Sequence, residues 1–227
     1  YLYVFMQVCI NAQTPFEIIR KNIVSSNNQN SLSIIDSCLK VQYQIDSSMY
    51  YKGLVYIKNN NIKKGDRVCL YMPMVPELAI AVLACARVGA VHSVVFAGFS
   101  STALAARIND AECKMLITAD GSFRGSKTID LKSVSDEALL TCPSIEVSIV
   151  LKRINSDIKL KEIDKWWHDE ISIVSDECEA TPVDSEDPLF ILYTSGSTGK
   201  PKGMVHSCAG YMVYSGYTFK NVFQYKD

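Results

Sequence analysis

The chain has 227 residues, 48% of them hydrophobic, and a formal net charge of −1. That length fits one domain or one and a half with a sizeable core, the near-neutral balance excludes a nucleic-acid protein built on a basic face, and no apolar run approaches the ~20 residues of a membrane span. Eight cysteines without C-x-x-C or metal-like spacing point to reduced thiols in an intracellular, cytoplasmic protein (mitochondrion and nucleus stay open) and to no resident metal site.

In chain order, residues 1–10 are apolar but short and lack a basic leader, a weak signal-peptide pattern. Residues 11–66 are polar and rich in Asn, Ser and Gln, with a loop at 25–30 and a helix expected over 48–59. Lys64-Gly65-Asp66 reads as a turn into a first strand over 67–71. A helix follows over 76–88, with Pro76 early, Glu77 in the first turn, and Leu78, Ala79, Val82, Leu83 and Ala86 at helical spacing. Strands are expected over 90–96, 114–119, 146–152 and 189–194. Helices are expected over 100–111, capped by Ser100 or Ser101, over 133–140, within 157–171 carrying Trp166-Trp167, and over 208–222. Helices alternating with near-continuous Val/Ile/Leu runs imply an α/β fold, a parallel sheet covered by helices on both faces. Ligands then gather at the carboxyl ends of the strands. Three loops fall there, at Phe96-Ala97-Gly98, at Asp120-Gly121-Ser122 and after Thr194.

The richest stretch is Tyr193-Thr194-Ser195-Gly196-Ser197-Thr198-Gly199-Lys200-Pro201-Lys202-Gly203, directly after the apolar Leu189-Phe190-Ile191-Leu192. Glycines let the backbone approach a ligand closely, successive amides form an anion-binding concavity, and hydroxyls and lysines add donors and charge against a polyphosphate. The Walker loop requires G-x-x-x-x-G-K-[ST]. Here Gly196 and Gly199 are two residues apart, and Pro201 stands where the Mg²⁺-holding hydroxyl belongs. A flexible Gly/Ser linker is disfavoured by the apolar strand leading in and Met204-Val205 leading out.

The string T-S-G-S-T-G-K-P-K-G resembles the signature loop of the AMP-forming acyl-adenylate synthetases. The flanks Ser185-Glu186-Asp187-Pro188, Val205-His206, Gly210-Tyr211 and Thr218-Phe219-Lys220 are similar to the acetyl-CoA synthetase branch. So are Lys64-Gly65-Asp66, Tyr71-Met72-Pro73, residues 84–93 and Phe96-Ala97-Gly98-Phe99-Ser100. The resemblance covers residues 55–227, a partial AMP-binding domain, and leaves 1–54 poorly matched.

What it implies is an acetate–CoA ligase that joins acetate, ATP and CoA into acetyl-CoA, AMP and pyrophosphate through acetyl-adenylate. Propionate or another short-chain acid is the alternative substrate, and a non-catalytic nucleotide- or CoA-binding fragment the alternative class. Thr194, Ser195, Gly196, Ser197, Thr198, Gly199, Lys200 and Lys202 would hold the ATP phosphates, with Mg²⁺ arriving on ATP. Phe96, Ala97 and Gly98 would lie along CoA, and Arg124, Gly125, Ser126 and Lys127 would take its phosphates. Ala97 stands where that family commonly has glycine. The adenine and acyl pockets, the acidic Mg²⁺ ligand and the carboxyl-terminal domain with its adenylation lysine come later in the family than Asp227. No catalytic residue is therefore expected within this stretch, and no adenylation by it alone. His92, His206 and the tryptophan pair read as structural. No nucleic-acid or membrane partner is expected.

Overall fold

The computed structural model describes residues 57, 60–174, 178–194 and 199–222. The helix expected over 48–59 and the polar amino-terminal stretch lie outside them, apart from Ile57, which is buried.

The first unit is β1 (Arg67–Tyr71), α1 (Pro76–Val88) and β2 (Val91–Val94). Val68 to Tyr71 have no exposed surface, which makes β1 the centre of the core. Pro76 opens α1 with a missing N–H that would have no partner there. Gly89 closes it at φ 73, where only glycine avoids a Cβ clash. Small residues on the inner face, Ala81, Ala84 and Cys85, let α1 lie close to the sheet. α2 (Ser101–Ala111) is capped by Ser100, whose Oγ accepts from the Ala103 amide at 3.3 Å.

β3 (Met115–Ala119) and β6 (Val147–Leu151) are buried at every position. Each fully covered Leu or Ile in them stabilises the fold by about 2 kcal/mol. Between them lie the hairpin β4 (Ser122–Arg124) and β5 (Lys127–Ile129), then α3 (Leu131–Leu139). α3 starts two residues before the sequence expectation because Asp130 caps it, accepting from the Ser133 amide at 2.8 Å. The chain continues through β7 (Asp164–Trp166), α4 (Trp167–Ile173), β8 (Pro188–Thr194), β9 (Lys202–Ser207) and α5 (Cys208–Val222).

The seven-stranded sheet has the order β7-β6-β3-β1-β2-β8-β9, parallel except for the antiparallel β8–β9 pair. From β1 the chain crosses to β2 on one side, then returns past β1 to β3 and moves away on the other. Adjacent strands β1 and β3 therefore send their connections in opposite directions, which opens a crevice at their carboxyl ends.

Two sequence expectations are corrected. The stretch 157–171 is not one helix carrying both tryptophans: Trp166 ends β7 and Trp167 begins α4. Backbone pairing with β6 overrides helical propensity there. Trp167 is core, whereas Trp166 is half-buried beneath Lys152 Nζ, 4.5 Å from its ring centroid. The sheet is also not wholly parallel, because residues after the glycine-rich loop form β9, a strand the sequence reading did not separate.

Candidate functional site

Since β1, β2, β3, β6 and β8 run in one direction, their carboxyl ends share one edge. Met72-Pro73-Met74, Phe96-Ala97-Gly98, Asp120-Gly121 with the β4–β5 hairpin, Lys152-Arg153 and Thr194 all emerge there. Apolar side chains stand exposed along it: Met74 is 93% exposed, Phe96 67% and Phe123 55%. Leu140 and Ile173 are as exposed elsewhere, so it is the shared edge and not exposure alone that sets these residues apart.

The glycine-rich loop bridges two paired strands. Thr194 lies opposite Lys202 and Tyr193 opposite Gly203, so both roots of the loop are pinned in one ladder. Thr194, Gly199, Lys200 and Lys202 are exposed at its base. Ser195, Gly196, Ser197 and Thr198 lie outside the described residues. A strand, not a helix, follows the lysines, which agrees with the absence of a Walker pattern.

Phe96, Ala97 and Gly98 form a tight turn, with the Gly98 and Phe99 amides both donating to the Phe96 carbonyl at 2.8 and 3.1 Å. A Cβ on Gly98 would meet Phe96 Cε1 at 2.5 Å, so glycine keeps room for the ring. Ala97 is half-buried and packs against the core. Arg124 and Lys127 face each other across the two-residue turn Gly125-Ser126, with Gly125 at φ 62. The sequence reading treats this segment as a loop, whereas it is a hairpin that presents both cations on one side, opposite Phe123 and Thr128. Arg124, Lys127, Lys200 and Lys202 are exposed and form no ion pair among the described residues. Lys64, Arg67, Lys114, Lys132, Lys161 and Lys165 are all paired.

Sequence reasoning missed the residue that organises this edge. Asp120, fully buried at the end of β3, accepts from the amides of Gly121 at 2.7 Å, Arg153 at 2.7 Å, Ile154 at 3.0 Å and Ser156 at 3.0 Å. One carboxylate thereby fixes the loop after β6 to the loop after β3. The Arg153 guanidinium reaches back to 5.6 Å from the Phe123 ring centroid and steadies the hairpin. The sequence signal was an acidic residue directly after an apolar strand, noted only as part of a loop.

His92 is buried in β2, and burial pushes its imidazole down to about 4. His206 stacks on Phe190 with centroids 4.4 Å apart. Both rings pack on Phe190, and His92 Nδ1 has no hydrogen-bond partner among the described residues. Cys69, Cys85 and Cys113 are buried free thiols. Among the described residues no three His, Cys, Asp or Glu side chains converge to hold a metal ion, and no helix is long and apolar enough to cross a membrane.

Comparison with known proteins gives this edge a context. The AMP-binding enzyme family matches residues 55–227. The chain is 55% identical over 172 residues to an acetyl-coenzyme A synthetase of Chlorobaculum tepidum, covering 75% of this chain and 26% of that protein. It is 48% identical over 189 residues to one of Magnetococcus marinus, covering 83% and 29%. The fold superposes on acetoacetyl-CoA synthetase from Streptomyces lividans with a TM-score of 0.71 at 25% identity, covering 77% of this chain and 26% of that one. The chain thus spans between a quarter and a third of the length of these curated relatives.

Proposed function

The chain belongs to the AMP-binding enzyme family, and from that premise we propose that the protein carrying it is an acetate–CoA ligase. Residues 55–227 are part of its nucleotide-binding domain and 1–54 lie outside that domain. The observation that carries this reading is the single edge that holds the paired roots of the glycine-rich loop, the Phe96 turn and the Arg124–Lys127 hairpin, in a chain about half identical to acetyl-CoA synthetases.

A carboxylate oxygen of acetate attacks the α-phosphorus of ATP. The bond to the bridging oxygen breaks, and its electron pair leaves on pyrophosphate. Charge develops on that leaving group, where preorganised donors lower the barrier most. Thr194, Ser195, Ser197 and Thr198, the amides of Gly196 and Gly199, and the unpaired Lys200 and Lys202 supply those donors. The CoA thiolate then attacks the acetyl carbon, and AMP departs with the carbon–oxygen electron pair. Phe96, Ala97 and Gly98 lie along CoA. Arg124 and Lys127, with Gly125 and Ser126 between them, take its phosphates, and the guanidinium grips in bidentate fashion. Mg²⁺ comes bound to ATP, and no step is assigned to it. A reducing compartment such as the cytoplasm suits the free thiols.

The test is acetate-dependent exchange of pyrophosphate into ATP, followed by acetyl-CoA formation, with the wild-type protein and Lys200→Ala. Loss of one donor to the leaving group lowers turnover by about 100-fold. Exchange that runs without acid, or is indifferent to Lys200, overturns the reading; a preference for propionate shifts it to the longer acid.

A further inference from the structure

Tyr193 stands one residue before Thr194, at the root of the glycine-rich loop. Its hydroxyl donates to Asp110 Oδ2 at 2.6 Å and lies 3.4 Å from the Arg107 carbonyl, both on α2. Opposite it in the ladder is Gly203, where a Cβ would meet the tyrosine ring at 3.1 Å. The absence of that methyl lets the ring lie flat across β9.

Arg107 faces the same ring, its Cζ 5.5 Å from the centroid. It also lies over the Phe99 ring at 4.5 Å. Phe99 packs edge-on against Phe96, centroids 5.8 Å apart, and its carbonyl accepts the Tyr71 hydroxyl at 2.8 Å. Arg107 is only 9% exposed and has no carboxylate partner among the described residues; Nη1 donates to the Ala103 carbonyl at 2.6 Å. A buried cation without an anion is costly to keep. Two ring faces and a carbonyl offset that cost, and a leucine in its place would have incurred none of it. What the guanidinium supplies, and leucine cannot, is two rings held in fixed orientation to one plane.

We infer that Arg107 is a positioning residue: with Tyr193, Asp110 and Phe99 it couples the root of the phosphate loop to the turn at Phe96–Gly98. The inference rests on the proposed function for what the two loops bind, not for the coupling itself. A displacement of Tyr193 is transmitted through the guanidinium to Phe99. Filling one site then alters affinity at the other, and the effect is reciprocal.

The test is amide hydrogen exchange on the full chain, which needs no ligand. Tyr193→Phe removes one hydroxyl and keeps the ring. It speeds exchange of the Gly98 and Phe99 amides about fivefold, the worth of one hydrogen bond. Phe99→Leu speeds the ladder at 192–194 and 202–204 by a similar factor. Arg107→Lys, which keeps charge but not the planar stack, does both and leaves β3 and β6 at the wild-type rate. Asp110→Asn retains an acceptor for Tyr193 and keeps wild-type exchange at Gly98. If each variant acts only on its own loop, or Arg107→Lys loosens the whole domain evenly, the coupling is overturned. In the ligase reaction Tyr193→Phe, Phe99→Leu and Arg107→Lys raise the KM for CoA at saturating ATP. Coupled exchange with an unmoved KM would refute CoA as the ligand of Phe96–Gly98 and leave the coupling standing.

Discussion

Lys132 Nζ lies 2.8 Å from Asp164 Oδ2, and the two side chains are 3% and 0% exposed. The pair ties the first turn of α3 to β7 beneath the sheet surface, with Asp136 as a second acceptor for the ammonium. Asp164 Oδ1 has no hydrogen-bond partner among the described residues. Lys132→Met leaves that buried carboxylate with the Lys161 amide, 2.7 Å from Oδ2, as its remaining donor, and costs about 3 kcal/mol. Lys132→Met with Asp164→Leu recovers most of it. Chemical denaturation of the three proteins decides this; a double variant no better than the single one would show that the charges do not offset each other.

Gly98 and Gly121, both at the carboxyl ends of the strands, differ in what surrounds them. A Cβ on Gly121 would stand 2.3 Å from Ile154 Cδ1 and 2.8 Å from the Ile129 carbonyl oxygen, and that backbone cannot swing away. A Cβ on Gly98 meets only the exposed Phe96 ring, which can. Gly121→Ala costs about 1–3 kcal/mol, and Gly98→Ala stays within about 0.5 kcal/mol. Equal losses in thermal melts would contradict the distinction.

His92 gives stability a pH dependence. Burial lowers its folded pKa from the ordinary 6.5 to about 4. The native state then holds it neutral while the unfolded chain takes up a proton below 6.5. Its contribution is complete above that value and falls away as pH drops toward 4, by about 3 kcal/mol in total. His92→Phe, which places a ring beside Phe190 without a titrating group, has a shallower decline in urea midpoint between pH 7 and pH 4.5. An identical decline in both proteins would assign the dependence elsewhere.

Alkylation of the native chain near pH 8 reads the six described thiols. Burial pushes Cys85 up to about 12, and the neighbouring Cys113 thiol together with burial raises Cys69. A buried, protonated thiol is inert. Cys178 and Cys208 are half-exposed and react, Cys208 more slowly because burial raises its thiol, while Cys69, Cys85, Cys113 and Cys142 wait for denaturant. Peptide mapping that finds Cys69 modified in the folded protein would show the core around β1 to be open.

The sequence alone placed β1, α1 and α5 at their observed bounds, with local punctuation at the first two: Gly65 before β1 and Pro76 at the start of α1. It also placed the candidate residues on one edge, since every parallel strand ends on the same side. β7 and β9 were not legible. Both are edge strands, β7 of three residues and β9 with little apolar alternation, and they exist because a neighbour supplies the ladder. The supports of the site were hidden for a related reason. Asp120 is bonded to amides 33 to 36 residues away, and Tyr193 to a carboxylate 83 residues back. No spacing rule reaches that far.

The place of β8 in the strand order has a consequence for how the molecule is made. β1, β2, β3, β6 and β7 are paired among themselves by the time Trp166 is in place. β8 joins only through β2, where Phe190 meets His92. Closing so long a stretch of chain is entropically costlier than any of the earlier pairings. Pulse-labelled exchange during refolding would see protection at Ile117 and Ile149 precede protection at Ile191. A nascent chain emerging from the ribosome would then carry a formed sheet before its glycine-rich loop had been made.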